Sequence, residues 1–479
     1  MTHNQKDSST DLKDKIRQRF DALAQTRDKW LDRNRLYYSD QEHYLKFLIP
    51  EGKSVLELGC GTGRLLAALK PRRGLGIDIS PAMIRQARKQ YPGLEFQVGD
   101  MENLDNFDET FDFIILSDVI GLLLDIEQTF HALHRFCRPD TRVIITYYNF
   151  LWEPLLKLAE LIGQKMPQQH QNWLSVADIS NLLYLADFQV VKRENRLLFP
   201  KNIPLFSAFL NRFLAPLPGI NKLCLSCYLV ARPYVNTEAD VRSTTIIIPC
   251  RNEKGNVEPA IQRLPEFGGA QEIIFVDGHS TDGTPEEVQR VIDAYPEKDI
   301  KLMVQDGSGK GDAVRKGFAA AQGEILMILD ADLTVPPEDL PKFYRALAGE
   351  KGEFINGCRL IYPMEKQAMR FLNMLGNKFF GLAFSWILNQ RIKDTLCGTK
   401  VLLREDYEKI AANRGYFGEF DPFGDFDLIF GAAKLNMMIT EVPIRYRERT
   451  YGTTNISRFR HGWLLLKMTV FAFKKFKLT

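Results

Sequence analysis

The stretch Ser54-Val-Leu-Glu-Leu-Gly-Cys-Gly-Thr-Gly63 joins a short apolar run to a turn rich in glycine. A strand followed by such a turn and a helix presents backbone N–H groups at the helix N-terminus, where a nucleotide can bind. Gly59, Gly61 and Gly63 have the spacing G-x-G-x-G, whereas dinucleotide-binding enzymes have G-x-G-x-x-G. The stretch therefore predicts an α/β domain with a nucleotide site that is not of the dinucleotide type.

Carboxylates accompany this turn and the ends of the following strand-like runs. Glu57, beside the turn, suits the cationic amino-acid end of S-adenosylmethionine better than a pyrophosphate. Asp78 ends the run that begins at Leu75, where it can accept protons from both ribose hydroxyls. Asp100 is placed for the adenine amine, and Asp118 lies near the expected position of the sulfonium.

In this order, the residues resemble the motifs of class I S-adenosylmethionine-dependent methyltransferases, over roughly residues 30–235. The resemblance implies a Rossmann-like sheet and a cofactor held by Glu57, Gly59, Gly61, Gly63, Asp78, Asp100 and Asp118. A NAD-type Rossmann domain and a degenerate, inactive methyltransferase are the alternatives. The acceptor stays open, and candidates to line its pocket are Tyr37, Tyr38, Tyr147, Tyr148 and Trp152.

Strand-like and helical runs alternate along the whole chain, which predicts an α/β fold built from parallel βαβ units. A chain of 479 residues exceeds one ordinary core, so at least two domains are expected. The apolar pattern lapses at 232–242, and a new strand begins at Thr244. We therefore expect one domain at 1–235 and a second at 243–479.

Bulk composition narrows the class of protein. The net charge of +3 argues against a nucleic-acid binder driven by charge. Seven scattered cysteines favour reduced thiols and a cytoplasmic location. Cys224 and Cys227 form a lone C-x-x-C, which we interpret as apolar filling because no second pair accompanies it. The polar first 15 residues lack the apolar core of a signal peptide.

Asp330-Ala-Asp332 follows the strand-like run 325–329 and forms the second chemical motif. Alternate side chains of an extended segment share one face, so both carboxylates can hold Mg²⁺ or Mn²⁺ against a diphosphate. Pro249 and Glu253 end the first strand of this half. Asp277 ends the second strand, where it can accept a hydrogen bond from a nucleotide base.

Gly309-Lys-Gly-Asp-Ala-Val-Arg-Lys-Gly317 opens a helix, and its glycines and cations suit a diphosphate. With the aspartates above, it resembles glycosyltransferase family 2 over roughly 243–457, especially the dolichyl- and polyprenyl-phosphate mannosyl- and glucosyltransferases. The resemblance extends to Asp394-Thr-Leu-Cys-Gly398 and Glu441-Val-Pro-Ile444. It implies a GT-A fold, a nucleotide-diphosphate sugar donor, a metal at Asp330 and Asp332, and inversion at the anomeric carbon. The expected substrate-binding residues are Pro249, Glu253, Asp277, Lys310, Arg315 and Arg449.

The second half departs from the family pattern in two places, at Asn455 and at Gly424-Asp-Phe-Asp427, which replaces a more usual F-x-F-D-x-E pattern. Asn455 occupies the position of an expected lysine, which weakens the case for a polyprenyl-phosphate acceptor. Arg449 keeps its place and can hold an acceptor phosphate with two hydrogen bonds. A hydroxyl acceptor would need a general base, for which Asp394, Asp425 and Asp427 are the candidates.

Two apolar, amphipathic runs, 371–388 and 463–473, predict peripheral contact at the cytoplasmic face of a membrane. Lys474, Lys475 and Lys477 follow the second run. Packing against the other domain is the alternative for both.

For the whole chain, the sequence predicts methyl transfer together with metal-dependent glycosyl transfer. The alternative is an active glycosyltransferase with a non-catalytic, cofactor-binding or scaffolding first half.

Overall fold

The computed structural model describes residues 3–104, 109–168, 171–234, 241–360, 371–416, 426–444, 446–447, 449, 451 and 458–478. The chain divides into two compact units. The first comprises Met1–Val235 with Lys477–Thr479, and the second comprises Asn236–Phe476. Each unit is built around its own seven-stranded sheet.

The strands of the first unit have the order β3-β2-β1-β4-β5-β7-β6 in the sheet. They are β1 Ser54–Leu58, β2 Arg73–Asp78, β3 Glu95–Val98, β4 Phe113–Ser117, β5 Arg142–Tyr148, β6 Phe188–Arg196 and β7 Ser226–Pro233. The first five are parallel, while β7 runs antiparallel to β5 and β6 antiparallel to β7. The expected parallel units therefore account for five strands, and an antiparallel pair completes the sheet.

Both faces of this sheet are buried, because alternate residues of one strand enter different clusters. Leu56 and Leu58 of β1 belong to one cluster, and Val55 belongs to another. The helices of this unit are α1 His3–Leu23, α2 Arg27–Arg33, α3 Arg35–Leu48, α4 Arg64–Leu69, α5 Pro81–Gln90, α6 Ile126–Leu133, α7 Glu153–Leu161, α8 Val176–Leu185 and α9 Phe206–Phe209.

The second unit has the sheet order β10-β9-β8-β11-β13-β12-β14. Its strands are β8 Thr244–Cys250, β9 Gln271–Asp277, β10 Asp299–Val304, β11 Ile325–Ile328, β12 Phe354–Cys358, β13 Lys400–Leu403 and β14 Ile439–Pro443. Its helices are α10 Lys254–Gln262, α11 Thr284–Ala294, α12 Lys310–Ala320, α13 Leu340–Ala348, α14 Phe371–Leu388, α15 Arg404–Ala412, α16 Phe426–Lys434 and α17 Arg458–Phe476. Strands β9, β8 and β11 are parallel neighbours, so their carboxyl ends meet at one edge.

Strand β13 was not expected from the sequence. It inserts antiparallel between β11 and β12 and brings Gly398, just before its first residue, towards the carboxyl end of β11. The strand has four residues and begins with the buried Lys400, so neither length nor alternation marks it. Its position is set by tertiary pairing.

The helices expected at a membrane surface form, and the first has the expected bounds. Trp386 of α14 and Phe473 of α17 are in contact, with ring centroids 5.4 Å apart. Lys475 donates to the Tyr416 carbonyl, and Lys477 is buried, so these two lysines do not form an exposed cluster. Within the described ranges, no helix has the length and apolar character to cross a membrane. All seven cysteines are free thiols, and Cys224 and Cys227 lie in the core.

Candidate functional sites

The glycine turn after β1 has a backbone that requires glycine. Gly59, Gly61 and Gly63 have φ values of +76°, +53° and +77°. A Cβ on Gly59 would lie 2.4 Å from Val119 Cγ1, whereas one on Gly61 would meet nothing within 4 Å. Gly63 packs against Phe96 instead. Gly59 and Gly63 thus allow close packing of the turn, and Gly61 leaves space beside it.

A cavity of about 460 Å³ opens beside this turn, within the usual size range of a cofactor site. Five of the expected cofactor residues line it, namely Gly59, Gly61, Asp78, Asp100 and Asp118. Glu57 and Gly63 do not. Tyr37, Tyr38, Tyr148 and Trp152, expected at an acceptor pocket, line the same cavity. Tyr147 is in the core of the sheet.

Asp78 ties the end of β2 to the glycine turn. Its two carboxylate oxygens accept hydrogen bonds from the backbone N–H groups of Gly61, at 2.8 Å, and Ser80, at 2.9 Å. Burial raises the pKa of Asp78 even though these donors lower it. Each oxygen retains accepting capacity, since a carboxylate oxygen has two lone pairs. The residue therefore lies at the cavity wall with accepting capacity left on both oxygens.

Asp118 has the left-handed φ of +56° after β4. The Tyr37 hydroxyl lies 2.9 and 3.0 Å from its two oxygens, and Gln41 Nε2 lies 3.3 Å away. Burial raises the pKa of Asp118, although these hydrogen bonds act in the opposite direction. Arg27 lies near this cluster, and its positive charge acts to lower the pKa of Asp118. Sequence reasoning missed Arg27, because one cation among many in a charged helical segment carries no pattern.

Asp100 receives an ion pair from the N-terminal helix. Lys13 Nζ of α1 lies 2.6 Å from Asp100 Oδ2 and 2.7 Å from Glu102 Oε2. Burial alone would lower the pKa of Lys13, but hydrogen bonds to both carboxylates outweigh it and raise that pKa. Helix α1 therefore lines the side of the cavity that was expected to hold an adenine.

Glu57 lies beneath the turn and away from the main cavity. Only 2% of its surface is exposed, and its Oε2 accepts from the Leu66 N–H of α4 at 3.1 Å. Burial raises the pKa of Glu57 to about 8. In this position it supports the start of α4, and it lines a smaller pocket that shares Gly59, Gly61 and Asp118 with the main cavity.

In the second unit, three motifs that are distant in sequence meet at the end of β11. Lys310 Nζ of α12 lies 2.6 Å from Asp330 Oδ1. A Cβ on Gly398 would lie 1.8 Å from Asp330 Oδ2 and 2.5 Å from Lys310 Nζ. Burial raises the pKa of Asp330, but Lys310 outweighs it, followed by Lys400 and Arg359, so the pKa is held below its usual range. Asp330 is therefore ionised at neutral pH.

Asp332 takes part in a second ion-pair network. Its Oδ1 accepts from Thr334 N and Oγ1, and its Oδ2 lies 2.8 Å from Arg449 Nη2. Arg449 Nη1 lies 3.1 Å from Glu253 Oε1. Burial raises the pKa of Glu253, while Arg449 acts to lower it. Arg449 thus bridges two of the expected site residues, Glu253 and Asp332.

Asp277 presents an oxygen that lacks a partner. It ends β9, is 2% exposed, and accepts from the Ser280 N–H at 3.0 Å through Oδ2. Its Oδ1 is buried without a hydrogen-bond partner among the described residues. A buried acceptor of this kind is costly unless a ligand or water satisfies it. Asp277 pairs across the sheet with Cys250, next to Pro249, which pairs with Val276.

The remaining expected residues have different surroundings. Arg315 is on α12, half-exposed, 3.9 Å from Asp312. Asp394 is fully buried, and Arg359 contacts both its oxygens at 2.7 and 2.8 Å. Burial raises the pKa of Asp394, but Arg359 outweighs it and holds the pKa below normal. Asp427 lies 2.7 Å from Arg414 Nε. Asp425 and Asn455 lie outside the described residues.

The metal expected at this edge has two candidate ligands, Asp330 and Asp332. In the part of the chain that is described, no group of three or more His, Cys, Asp or Glu side chains is arranged to hold a metal. Mg²⁺ commonly binds through one or two carboxylates together with substrate phosphates, and the residues present fit that arrangement.

Comparison with known proteins matches each half of the chain to a family. Residues 245–411 match the family model of glycosyl transferase family 2, and residues 27–193 match that of a methyltransferase domain. Glycosyltransferase AglJ of Haloferax volcanii is 30% identical over 46% of this chain and 68% of its own length. The chain belongs to glycosyltransferase family 2.

Other relatives of this glycosyltransferase match the same half. A dolichyl-phosphate hexose transferase of Haloferax volcanii is 29% identical over 49% of the chain and 95% of its own length. A dolichol-phosphate mannosyltransferase of Pyrococcus furiosus is 37% identical over 47% of the chain, which spans 63% of that relative.

Solved structures resemble each half in fold. An S-adenosylmethionine dependent methyltransferase from Mesorhizobium loti has 18% identity and a TM-score of 0.30, covering 38% of this chain and 92% of its own. Glucosyl-3-phosphoglycerate synthase from Mycobacterium tuberculosis, solved with Mn²⁺ and UDP, has 18% identity and a TM-score of 0.37. It covers 49% of this chain and 80% of its own.

The contact of Gly398 with Asp330 predicts a steric effect on stability. Gly398→Ala places a methyl group against the carboxylate and should lower the free energy of unfolding by about 1–3 kcal/mol. Gly415→Ala is the matched control, because a Cβ there meets nothing within 4 Å, and it should change stability by less than about 0.5 kcal/mol. Denaturant titration measures both. Equal effects would show that the Gly398 contact is not a packing constraint.

The raised pKa of Glu57 predicts a pH-dependent stability. Between its ordinary pKa of 4.5 and its folded value of about 8, the folded state holds a proton that the unfolded state has lost. Stability should therefore fall as pH rises through this window, by up to about 1.4 kcal/mol per pH unit. Glu57→Gln should remove this contribution. Denaturant titrations from pH 5 to 8 test it, and parallel curves for the two proteins would contradict the assignment.

Proposed function

We propose that the protein is a bifunctional enzyme. Its second unit would transfer a sugar from a nucleotide diphosphate to a polyprenyl-phosphate or other glycan acceptor, with inversion and with a divalent metal. Its first unit would transfer a methyl group from S-adenosylmethionine. The observation that carries the glycosyl half is the meeting of Lys310, Asp330 and Gly398, with Asp332 and Arg449 beside them.

Each residue of the glycosyl site has a role suited to its surroundings. Asp277 would accept from the base through its unpartnered Oδ1. Asp330 and Asp332 would hold Mg²⁺ or Mn²⁺, which neutralises the departing nucleotide diphosphate. Lys310 lies beside Asp330 and would bind an oxygen of the same diphosphate. Arg315, on the same helix, would extend the positive surface along the donor.

Arg449 bridges Asp332 and Glu253 and has the planar, two-pronged shape that suits a phosphate. We assign it to the acceptor phosphate. An ionised phosphate oxygen attacks without a general base. The names of the relatives, which include dolichyl-phosphate hexose transferase and dolichol-phosphate mannosyltransferase, support a polyprenyl-phosphate acceptor.

A hydroxyl acceptor would need a base, and the candidates differ in suitability. Asp394 is paired with Arg359 through both oxygens and has a lowered pKa, so it is a poor proton acceptor. We assign it a positioning role. It holds the loop that carries Gly398 towards Asp330. Asp427 is tied to Arg414 but is partly accessible, and it is the better base of the two.

The methyl half rests on the cavity beside the glycine turn. The fit with S-adenosylmethionine comes from the open space at Gly61, the two acceptor oxygens of Asp78 and the buried carboxylate of Asp118. The cofactor, when bound, supplies an electrophilic methyl group. Tyr37, Tyr148 and Trp152 would position the acceptor along the same cavity.

We place the enzyme at the cytoplasmic face of a membrane, as a peripheral protein.

The methyl half is tested with S-adenosylmethionine labelled in its methyl group. Calorimetry should show binding, and label should appear in an acceptor from a panel of glycans and polyprenyl-linked sugars. Asp78→Ala should reduce binding by at least about tenfold, since a hydrogen bond to a charged group is lost. Binding without label in any acceptor would favour the alternative, in which this unit is a cofactor-binding scaffold.

The glycosyl half is tested by a screen of UDP- and GDP-sugars with Mg²⁺ or Mn²⁺, with and without polyprenyl phosphate. Asp332→Asn should leave the fold intact and reduce turnover by about 10²- to 10³-fold, because a charge that holds the metal is lost. It should also remove the metal dependence of nucleotide binding in calorimetry. Asp293→Asn, an exposed carboxylate on α11, is the control. Near-normal turnover in the Asp332 variant would remove this residue from the mechanism.

A further inference from the structure

The stretch 199–223 connects β6 and β7 and has an unusual composition. It contains no aspartate or glutamate, and its three charged residues are Lys201, Arg212 and Lys222. All three are exposed. Large apolar side chains make up much of the rest. A surface segment of a water-soluble protein ordinarily carries both signs of charge, so this composition calls for a partner.

Helix α9 and the helical turn that follows it, Leu210–Leu214, turn their polar side chains inward and their aromatic side chains outward. Ser207 is buried and donates to the Lys201 carbonyl, and Asn211 bonds both the N–H and the carbonyl of Phe199, at 2.8 and 2.9 Å. Phe206, Phe209 and Phe213 are each about half exposed. The fold uses polar groups to attach the helix and presents the rings to the surroundings.

Exposed apolar residues continue on both sides of this helix. Leu205 is 87% exposed, and Ile203, Leu217 and Leu223 are exposed as well. Helix α7 and the residues beside its two ends add a second group, in which the exposed residues are Leu151, Leu155, Leu158, Leu161 and Ile162. We call these two groups together the apolar rim.

The apolar rim borders the mouth of the cofactor cavity. Phe199, Pro200 and Lys201 line the cavity at the start of the stretch, and Leu155 lines it from α7. Leu155 is also 56% exposed, so the cavity wall and the outer surface are continuous there. Anything that covers the rim therefore lies at the mouth through which a methyl acceptor enters.

We propose that the apolar rim docks the first unit onto a bilayer with anionic headgroups, so that the methyl acceptor reaches the cavity from the lipid phase. Aromatic and aliphatic side chains ringed by lysine and arginine are the composition that inserts at a headgroup layer. The acids of α7 do not oppose this, because Glu153 and Glu160 are paired with Lys157 and Lys165. A second copy of the chain fits less well, since a twofold contact would set cations of stretch 199–223 against each other.

The acceptor class in this proposal rests on the proposed methyl transfer, but the docking does not. A polarity-sensitive fluorophore on Phe209→Cys in the full chain reports docking directly, with Tyr184→Cys as the matched control. Tyr184 is 74% exposed on α8 and does not line the cavity. The native thiols are buried or half-buried, so labelling is selective. No S-adenosylmethionine is added.

With vesicles of phosphatidylglycerol and phosphatidylcholine, the Phe209 label should shift to the blue and be quenched by brominated acyl chains. The Tyr184 label should remain unchanged. Vesicles of phosphatidylcholine alone should give a weaker response. A Phe209 label that stays in a polar environment with both vesicles overturns the proposal, as does an equal response to both. A blue shift without vesicles that grows with protein concentration would assign the rim to self-association and also overturn it.

Sedimentation with the same vesicles gives the second measurement. Phe209→Asp with Phe213→Asp should weaken the association of the full chain by about tenfold or more, because two half-exposed rings no longer insert. Tyr184→Asp should leave it unchanged, and an unchanged melting temperature would show that the variants fold. Equal association of wild type and the double variant counts against the rim. Docking without methyl transfer would reject the proposed methyl function and leave the surface in place.

Discussion

In both units, parallel middle strands of the sheet end at the same edge. The polar groups in the turns at that edge have no partner within the sheet, and this constraint determines where each site forms. In the first unit, the end of β2 supplies Asp78, and the turn after β1 supplies the N–H of Gly61 that it accepts. In the second, α12 supplies Lys310 to Asp330 after β11. Each site is therefore assembled by satisfying the backbone and side chains at that edge.

The ion pairs beside the carboxyl end of β11, Lys310 with Asp330 and Arg449 with Asp332, are well suited to exchange partners. A charge taken out of water needs an opposite charge beside it, and removing one member of a buried pair is costly. Asp330 and Asp332 are held by Lys310 and Arg449, which are the groups that would bind phosphate oxygens. A donor diphosphate arriving with its metal offers the lysine and arginine new anions and offers the aspartates a new cation. The number of satisfied charges is then preserved when the donor binds.

Sequence patterns predicted the parts of these sites that recur at regular positions after strands. Most of the strand positions follow from alternation and glycine spacing, as do the sheet edge that carries Gly59 and Asp78 in the first unit and the edge that carries Asp330 in the second. What the patterns missed depends on tertiary contacts. Strand β13 is too short to be recognised, and Arg359 pairs with Asp394 across a separation in sequence that no local pattern reveals.

Glu57 shows what the motif alone leaves open. Its position beside the turn predicts contact with a cation, and its side chain bonds the N–H of Leu66 and lines a smaller pocket beside the main cavity. Successive residues of a strand face opposite sides of the sheet, so a shift of one position changes whether a side chain reaches the ligand. The motif locates the edge correctly, and only the backbone decides which carboxylates reach the cavity.

The placement of apolar surface adds a second candidate for the expected membrane contact. The helices named by the sequence, α14 and α17, contact each other through Trp386 and Phe473, and they keep Leu382 and Trp463 exposed. Stretch 199–223 also turns polar side chains inward and its rings outward. Water does not favour that arrangement, because exposed rings gain nothing from it. Its retention in a folded unit, beside a cavity and with cations that pair with no acid among the described residues, is accounted for by the proposed lipid surface, which would take the rings.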